Sequence, residues 1–226
     1  MSQFTNLTER RTSIDDIFDT LHEDIVTLKL MPGTKISEAE IANQFSVSRQ
    51  PVRDAFSRLG NLGLLLIRPQ KATVVRKFSI PEIFHARFVR TAIEVEVLRT
   101  AVLKWSDTDT TPIRENMKQQ VAAVKAQDTD RFHGLDYEFH KLLCAAAGFE
   151  MAFETIAEMK TKVDRLCRLS LEEPTEMKVL LEDHERILSG LDSNDFSALE
   201  TVIRTHLARL DSVVEKVRLQ HSEYFE

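Results

Sequence analysis

The chain has 226 residues, 42% hydrophobic and 29% charged, the make-up of an ordinary soluble globular protein long enough for two modest domains. No apolar run approaches a membrane span, and residues 1–20 lack the apolar core of a signal peptide. Two cysteines, Cys144 and Cys167, give no disulfide framework, so the expected setting is a reducing cytoplasm.

Only 6 Gly and 6 Pro, with few β-branched runs, point to a mostly helical protein. The net charge of −6 conceals an asymmetry. Residues 1–78 carry a balance of +2 and residues 79–226 a balance of −8. Within 45–77 stand seven basic residues (Arg49, Arg53, Arg58, Arg68, Lys71, Arg76, Lys77) against one acid, Asp54. A basic segment on an acidic chain suggests that this segment alone meets a polyanion. A merely solvated helix face would carry more compensating acids.

Apolar residues at helical spacing predict a first helix from Ser13 to about Leu30. "MPGTKIS" breaks it, and Ser37 with Glu40 three residues on forms a capping-box pattern for a short helix over 38–45. After the turn "SVS" a second helix begins at Ser48, "RQPVRDAFSRLGNLG", with Val52, Phe56 and Leu59 facing a core. Two short helices with a tight turn between them, the second basic in its first turns, make a helix-turn-helix layout. Ser48, Arg49, Gln50 and Arg53 would then face a major groove, where arginine reaches guanine O6/N7 and glutamine reads adenine. "LLLIRPQKATVVRK" follows as a hairpin wing with its tip at Pro69–Lys71. Arg68 and Lys71 there are placed for phosphates or a minor groove.

Residues 32–75 resemble the GntR family of bacterial transcription regulators. The resemblance rests on Pro32–Gly33, Glu38, Ile41–Ala42, the run Val47-Ser48-Arg49-Gln50-Pro51-Val52-Arg53, Ala55, and Leu59-Gly60-Asn61-Leu62-Gly63-Leu64. Two positions depart from the pattern. Lys71 stands where the wing tip usually carries glycine, and Ala39 cannot make the polar DNA contact that some relatives make from that position.

From Ser79 onward the pattern is helical throughout, predicting six helices and an all-α bundle. Ser79 with Glu82 reads as a capping box opening a long helix through Ala101. Further helices are expected from Thr111, over Thr129–Ala147, and over about 149–171, 175–191 and 195–220, with Pro174 and "DSND" as breaks. The chain therefore divides, as expected from sequence, into a winged helix-turn-helix at 1–78 and a helical unit at 79–226.

His184 and His206 sit inside apolar stripes of the last two helices, and Asp136 with His140 lies along the border of the stripe Phe132, Leu135, Phe139, Leu142, Leu143. A lone histidine on an apolar face is more often a hydrogen-bonded core residue than a ligand. An i,i+4 Asp–His pair by itself contributes only about 0.2–0.5 kcal/mol. Three inward histidines and an acid on three helices of one bundle change that balance, because one divalent cation would satisfy all four. Imidazole-rich ligation points to zinc first, with nickel, iron or manganese as alternatives. His133 is the nearest rival ligand, and Cys144 reads as a small core hydrophobe.

Residues 80–220 resemble the FCD domain, the effector domain of one GntR subfamily. The matching positions are Arg90–Glu94, Asp136–His140, Asp183-His184-Glu185-Arg186-Ile187 and His206-Leu207. The resemblance implies metal ligands at Asp136, His140, His184 and His206, and an arginine, Arg90, near the effector cavity; Arg165 and Arg168 are weaker candidates for that task. The expectation is a homodimeric repressor of a palindromic operator. A small organic acid bound at the metal would bias the placement of the two DNA-reading domains. An enzyme that activates water at the metal, or a regulator with a purely structural metal, are the alternatives.

Overall fold

The structure, a computed structural model, describes residues 13–69, 71–171 and 175–226. The tip residue Gln70, the break expected at Pro174 and residues 1–12 lie outside the described residues. The chain forms two compact units, Met1–Lys77 and Phe78–Glu226.

In the first unit, α1 spans Ser13–Val26 and buries Ile17, Leu21 and Ile25. It stops four residues short of Leu30 because Leu28 adopts a left-handed φ of 64°, and Leu30 N–H returns to the Asp24 carbonyl. β1 (Lys35–Ile36) leads into α2 (Glu38–Gln44), whose Ser37 cap accepts from the Ala39 N–H. α3 (Arg49–Asn61) follows, burying Val52, Ala55, Phe56 and Leu59 in a core shared with α1. It ends before Gly63, which takes a φ of +71° that a side chain would disfavour.

β2 (Leu65–Leu66) and β3 (Thr73–Val75) form the wing, and β1 pairs antiparallel with β3 on its other edge, giving the order β1-β3-β2. The sequence did not show β1. A two-residue strand is too short to display alternation.

The second unit holds six α-helices among its described residues: α4 (Ile80–Lys104), α5 (Thr111–Ala126), α6 (Thr129–Ala147), α7 (Ala152–Leu171), α8 (Glu176–Asp192) and α9 (Phe196–Gln220). Pro112 stands in the first turn of α5, as expected. The Asp128 side chain caps α6 at Arg131 N–H, and Asp195 caps α9 at Ala198 N–H. Ser79 occupies the cap position of α4, yet its side chain makes no cap bond, so the capping box read there does not form.

α4 packs on α6, α7 and α9, while α8 packs on α5 and α9. Gly190 permits the close approach of α8 and α9: a Cβ there would stand 2.8 Å from Leu199 Cγ. No described helix is long and apolar enough to cross a membrane.

Candidate metal centre and nucleic-acid interface

One turn separates Asp136 from His140, so α6 presents both on one face. α8 brings His184 to them and α9 brings His206. Each of the four offers one donor atom, and these atoms all lie within 4.8 Å of one another. All three histidines are buried, at 1%, 0% and 7% exposure. His184 Nε2 lies 3.4 Å and His140 Nε2 3.7 Å from Asp136 Oδ1. Two donors about 2.0–2.1 Å from one tetrahedral ion stand about 3.3 Å apart, close to these separations.

The other side of each ring is as informative. His140 Nδ1 lies 2.7 Å from Glu94 Oε2, His184 Nδ1 2.8 Å from Gln120 Oε1, and His206 Nδ1 3.4 Å from Asp183 Oδ2. Of these only the Gln120 contact is a hydrogen bond; it holds the proton on His184 Nδ1 and turns that ring's Nε2 lone pair inward, the usual outer support of a ligating imidazole, while His140 and His206 face their carboxylates as charge contacts. The Nε2 atoms of His140 and His184, and the Nδ1 atoms of His140 and His206, are buried with no hydrogen-bond partner. Buried polar atoms are rarely left so, and a cation would satisfy the two Nε2 atoms. The donor set therefore fits a divalent transition ion.

Each carboxylate here has its own cation. Arg90 Nε donates to Glu94 at 2.8 Å, Lys160 Nζ to Asp136 Oδ2 at 2.5 Å, and Arg209 makes a two-pronged contact with Asp183 at 2.5 and 3.0 Å. Burial would raise the carboxyl groups of Glu94, Asp136 and Asp183, but Arg90, Lys160, and the neighbouring His206 with Arg209 respectively hold all three below the usual range. Burial pushes the His184 imidazole down to about 4 and lowers His206 too. For His140 burial is outweighed by the adjacent carboxylates of Glu94 and Asp136, so its affinity for a proton is raised.

A cavity opens beside the cluster, and Arg90, Asp136, Lys160, His206 and Arg209 line its polar side. Leu171, Leu180, Leu210 and Val213 line its apolar side. Arg90 Nη2 is buried without a partner. His133 lines the cavity but points to Asp164, 3.5 Å from its Oδ1, outside the four-residue cluster.

Arg165 is not brought to the cavity. Its guanidinium lies 5.1 Å from the Phe78 ring centroid, because α7 presents Lys160, Asp164 and Cys167 to the cavity and Arg165 on another face. Arg168 pairs with Asp130. Lys160, Glu94, Gln120 and Asp183 also surround the centre, though sequence reasoning does not single them out as parts of a site. Glu94 and Asp183 stood inside matched motifs, whereas Gln120 and Lys160 gave no signal of their own.

In the N-terminal unit, Ser48, Arg49, Gln50 and Arg53 are exposed along the start of α3. Ser48 makes no side-chain cap bond. Gln50 donates to Asp54 at 3.0 Å, and Arg53 reaches Glu38 on α2 at 3.1 and 3.4 Å. Arg68 and Lys71 are exposed at the wing, joined by a turn bond from Lys71 N–H to the Arg68 carbonyl.

Residues 13–75 match the family described as bacterial regulatory proteins, gntR family, and residues 83–209 match the FCD domain. The HTH-type transcriptional repressor RspR of Escherichia coli K12 is 35% identical over 225 residues, covering 100% of this chain and 99% of that protein. The gluconate operon transcriptional repressor of Bacillus licheniformis is 29% identical over 168 residues, covering 74% of this chain and 67% of that protein. Among solved structures, a transcriptional regulator of Rhodococcus sp. RHA1 aligns with a TM-score of 0.73 at 18% identity, over 89% of this chain and 97% of its own. E. coli McbR/YncC aligns at 0.70 and 17%, over 92% and 99%. At such identities the likeness speaks for the fold alone. The chain belongs to the GntR family of bacterial transcription regulators, with an FCD domain as its helical unit.

Proposed function

We propose that this protein is a cytoplasmic repressor that binds a palindromic operator as a homodimer and answers to a small carboxylic acid. Residues 1–78 read DNA through Ser48, Arg49, Gln50 and Arg53, with Arg68 and Lys71 on the backbone or minor groove. Residues 79–226 bind the effector and join the subunits. Asp136, His140, His184 and His206 hold one divalent transition ion, zinc first and nickel, iron or manganese otherwise. The name of the 35% identical E. coli relative supports the repressor reading.

The observation that carries the metal reading is the pair of buried, partnerless Nε2 atoms beside Asp136, each ring backed by an oxygen on Nδ1. When bound, the ion supplies a Lewis-acidic centre with positions left for an effector oxygen. The chain's own part is to receive the acid. Arg90 Nη2 has no partner, and Lys160, one of whose three ammonium protons goes to Asp136, lines the same cavity. Leu171, Leu180, Leu210 and Val213 supply the apolar side of the same cavity. Effector binding then changes operator affinity to the extent that the acid prefers one conformation over the other.

The test is elemental analysis of the purified protein, a thermal-shift screen of small carboxylic acids, and operator titration with each hit. A hit should stabilise the metal-loaded protein alone and shift operator affinity. A stabilising acid that acts equally without metal would contradict the reading.

A further inference from the structure

Asn116 and Gln120 stand one turn apart on α5, buried at 5% and 0% exposure. Asn116 Nδ2 donates to the Leu135 carbonyl at 3.0 Å, and Gln120 Nε2 donates to Asn116 Oδ1 at 2.7 Å. Gln120 Oε1 then lies 2.8 Å from His184 Nδ1.

The fixed end of this chain sets every proton in it. Heavy-atom positions alone do not orient an amide or a ring tautomer, but a backbone carbonyl can only accept. Asn116 must therefore turn its NH2 to Leu135 and its oxygen to Gln120. Gln120 meets that oxygen with its own NH2 and presents Oε1 to His184. Only a protonated Nδ1 satisfies Oε1, which leaves the Nε2 lone pair facing Asp136.

The alternative places the proton on Nε2, toward Asp136 Oδ1 at 3.4 Å. Gln120 would then have to offer its NH2 to Nδ1, and the reversal would pass along the chain. It would end with Asn116 Oδ1 set against the Leu135 carbonyl, two acceptors about 3 Å apart in a buried place.

Leu135 immediately precedes Asp136, so the chain closes into a ring through three helices. It runs from the α6 backbone through α5 to the His184 ring on α8, and back across 3.4 Å to Asp136. We infer that Asn116 and Gln120 are positioning residues that fix the tautomer of His184 and hold its Nε2 lone pair on the candidate centre. His140 and His206 face carboxylates on Nδ1, whereas His184 meets a neutral oxygen there and so gains no negative charge beside it. The tautomer rests on the hydrogen bonds alone; its use in metal capture rests on the metal reading above.

Long-range 1H–15N correlation spectra of the full-length, metal-stripped, histidine-labelled protein read the tautomer directly, with His184→Gln assigning the signal. Nδ1–H at His184 is expected, and Nε2–H in the wild type would overturn the inference. Gln120→Met keeps the volume and removes the acceptor. It should move His184 toward Nε2–H and weaken Zn2+ binding, read by chelator competition, by about 10–100-fold. If that variant folds and changes neither tautomer nor Zn2+ affinity, the positioning role is overturned. If it fails to fold, the wild-type tautomer decides. A wild-type protein with Nδ1–H that takes up no Zn2+ would uphold the relay and sink the metal reading.

Discussion

Glu94 Oε2 and His140 Nδ1 meet 2.7 Å apart, one on α4 and one on α6, and both side chains are buried. The charge of Glu94, with that of Asp136 beside it, raises the proton affinity of His140 despite burial. The carboxylates thus favour the protonated ring, and a ligating imidazole must shed that proton. Metal uptake near neutral pH should release a proton, and affinity should fall on acidification. Calorimetry in buffers of different ionisation enthalpy measures the release. Uptake that is proton-neutral from pH 6 to 7 would refute the assignment.

Acid should also destabilise the metal-free protein. The folded pKa of His184 is depressed to about 4 and that of His206 is lowered, both by burial. Groups so depressed contribute stability above their unfolded pKa near 6.5, and that stability is lost as pH falls through the folded value. His140 works in the opposite sense, with its contribution present at low pH and lost as pH rises through its raised value. The gain at His140 is complete near its unfolded pKa, so below it only the losses at His184 and His206 continue, and the melting temperature should fall between pH 6.5 and 4. A flat or rising profile in thermal melts would contradict this.

The helices and the four clustered donors were legible because 3.6-residue periodicity and histidines inside apolar stripes are local signals. What supports the donors was not. Glu94, Gln120 and Asp183 matter through distances between helices, which no single-helix pattern carries. The same limit separates Arg90, which reaches the cavity, from Arg165, which is on a different face of α7 and stacks on Phe78. The register of α7 about its own axis decides that, and Lys160 went unnoticed for the same reason. β1 was too short to read, and the left-handed Leu28 that ends α1 early carries no glycine to announce it.

On DNA, Arg49→Ala and Arg53→Ala should each cost about 1–3 kcal/mol against a specific operator. Lys71→Ala should weaken binding to every sequence alike and reduce the salt slope by about 1. Arg53 is tied to Glu38 in the free protein, so Glu38→Gln should release it and raise nonspecific affinity. Titrations at fixed salt compare them. Wild-type affinity in an Arg49→Ala/Arg53→Ala double variant would remove α3 from the interface.

A palindrome-reading protein needs two-fold symmetry, and the helical unit is the larger surface available to provide it. Residues 78–226 are a compact unit with their own core. Expressed alone they should sediment as a dimer at micromolar concentration. A monomer there would move the interface elsewhere or abolish it.

Metal content across five single variants tests the central claim most directly. Asp136→Ala, His140→Ala, His184→Ala and His206→Ala each remove one of the four clustered donors, while His133→Ala removes a ring that faces Asp164 instead. Elemental analysis after dialysis should show close to one ion per chain in the wild type and in His133→Ala, and a clear loss in the other four. Loss in His133→Ala with full occupancy in His206→Ala would contradict the ligand set, and with it the proposed metal centre.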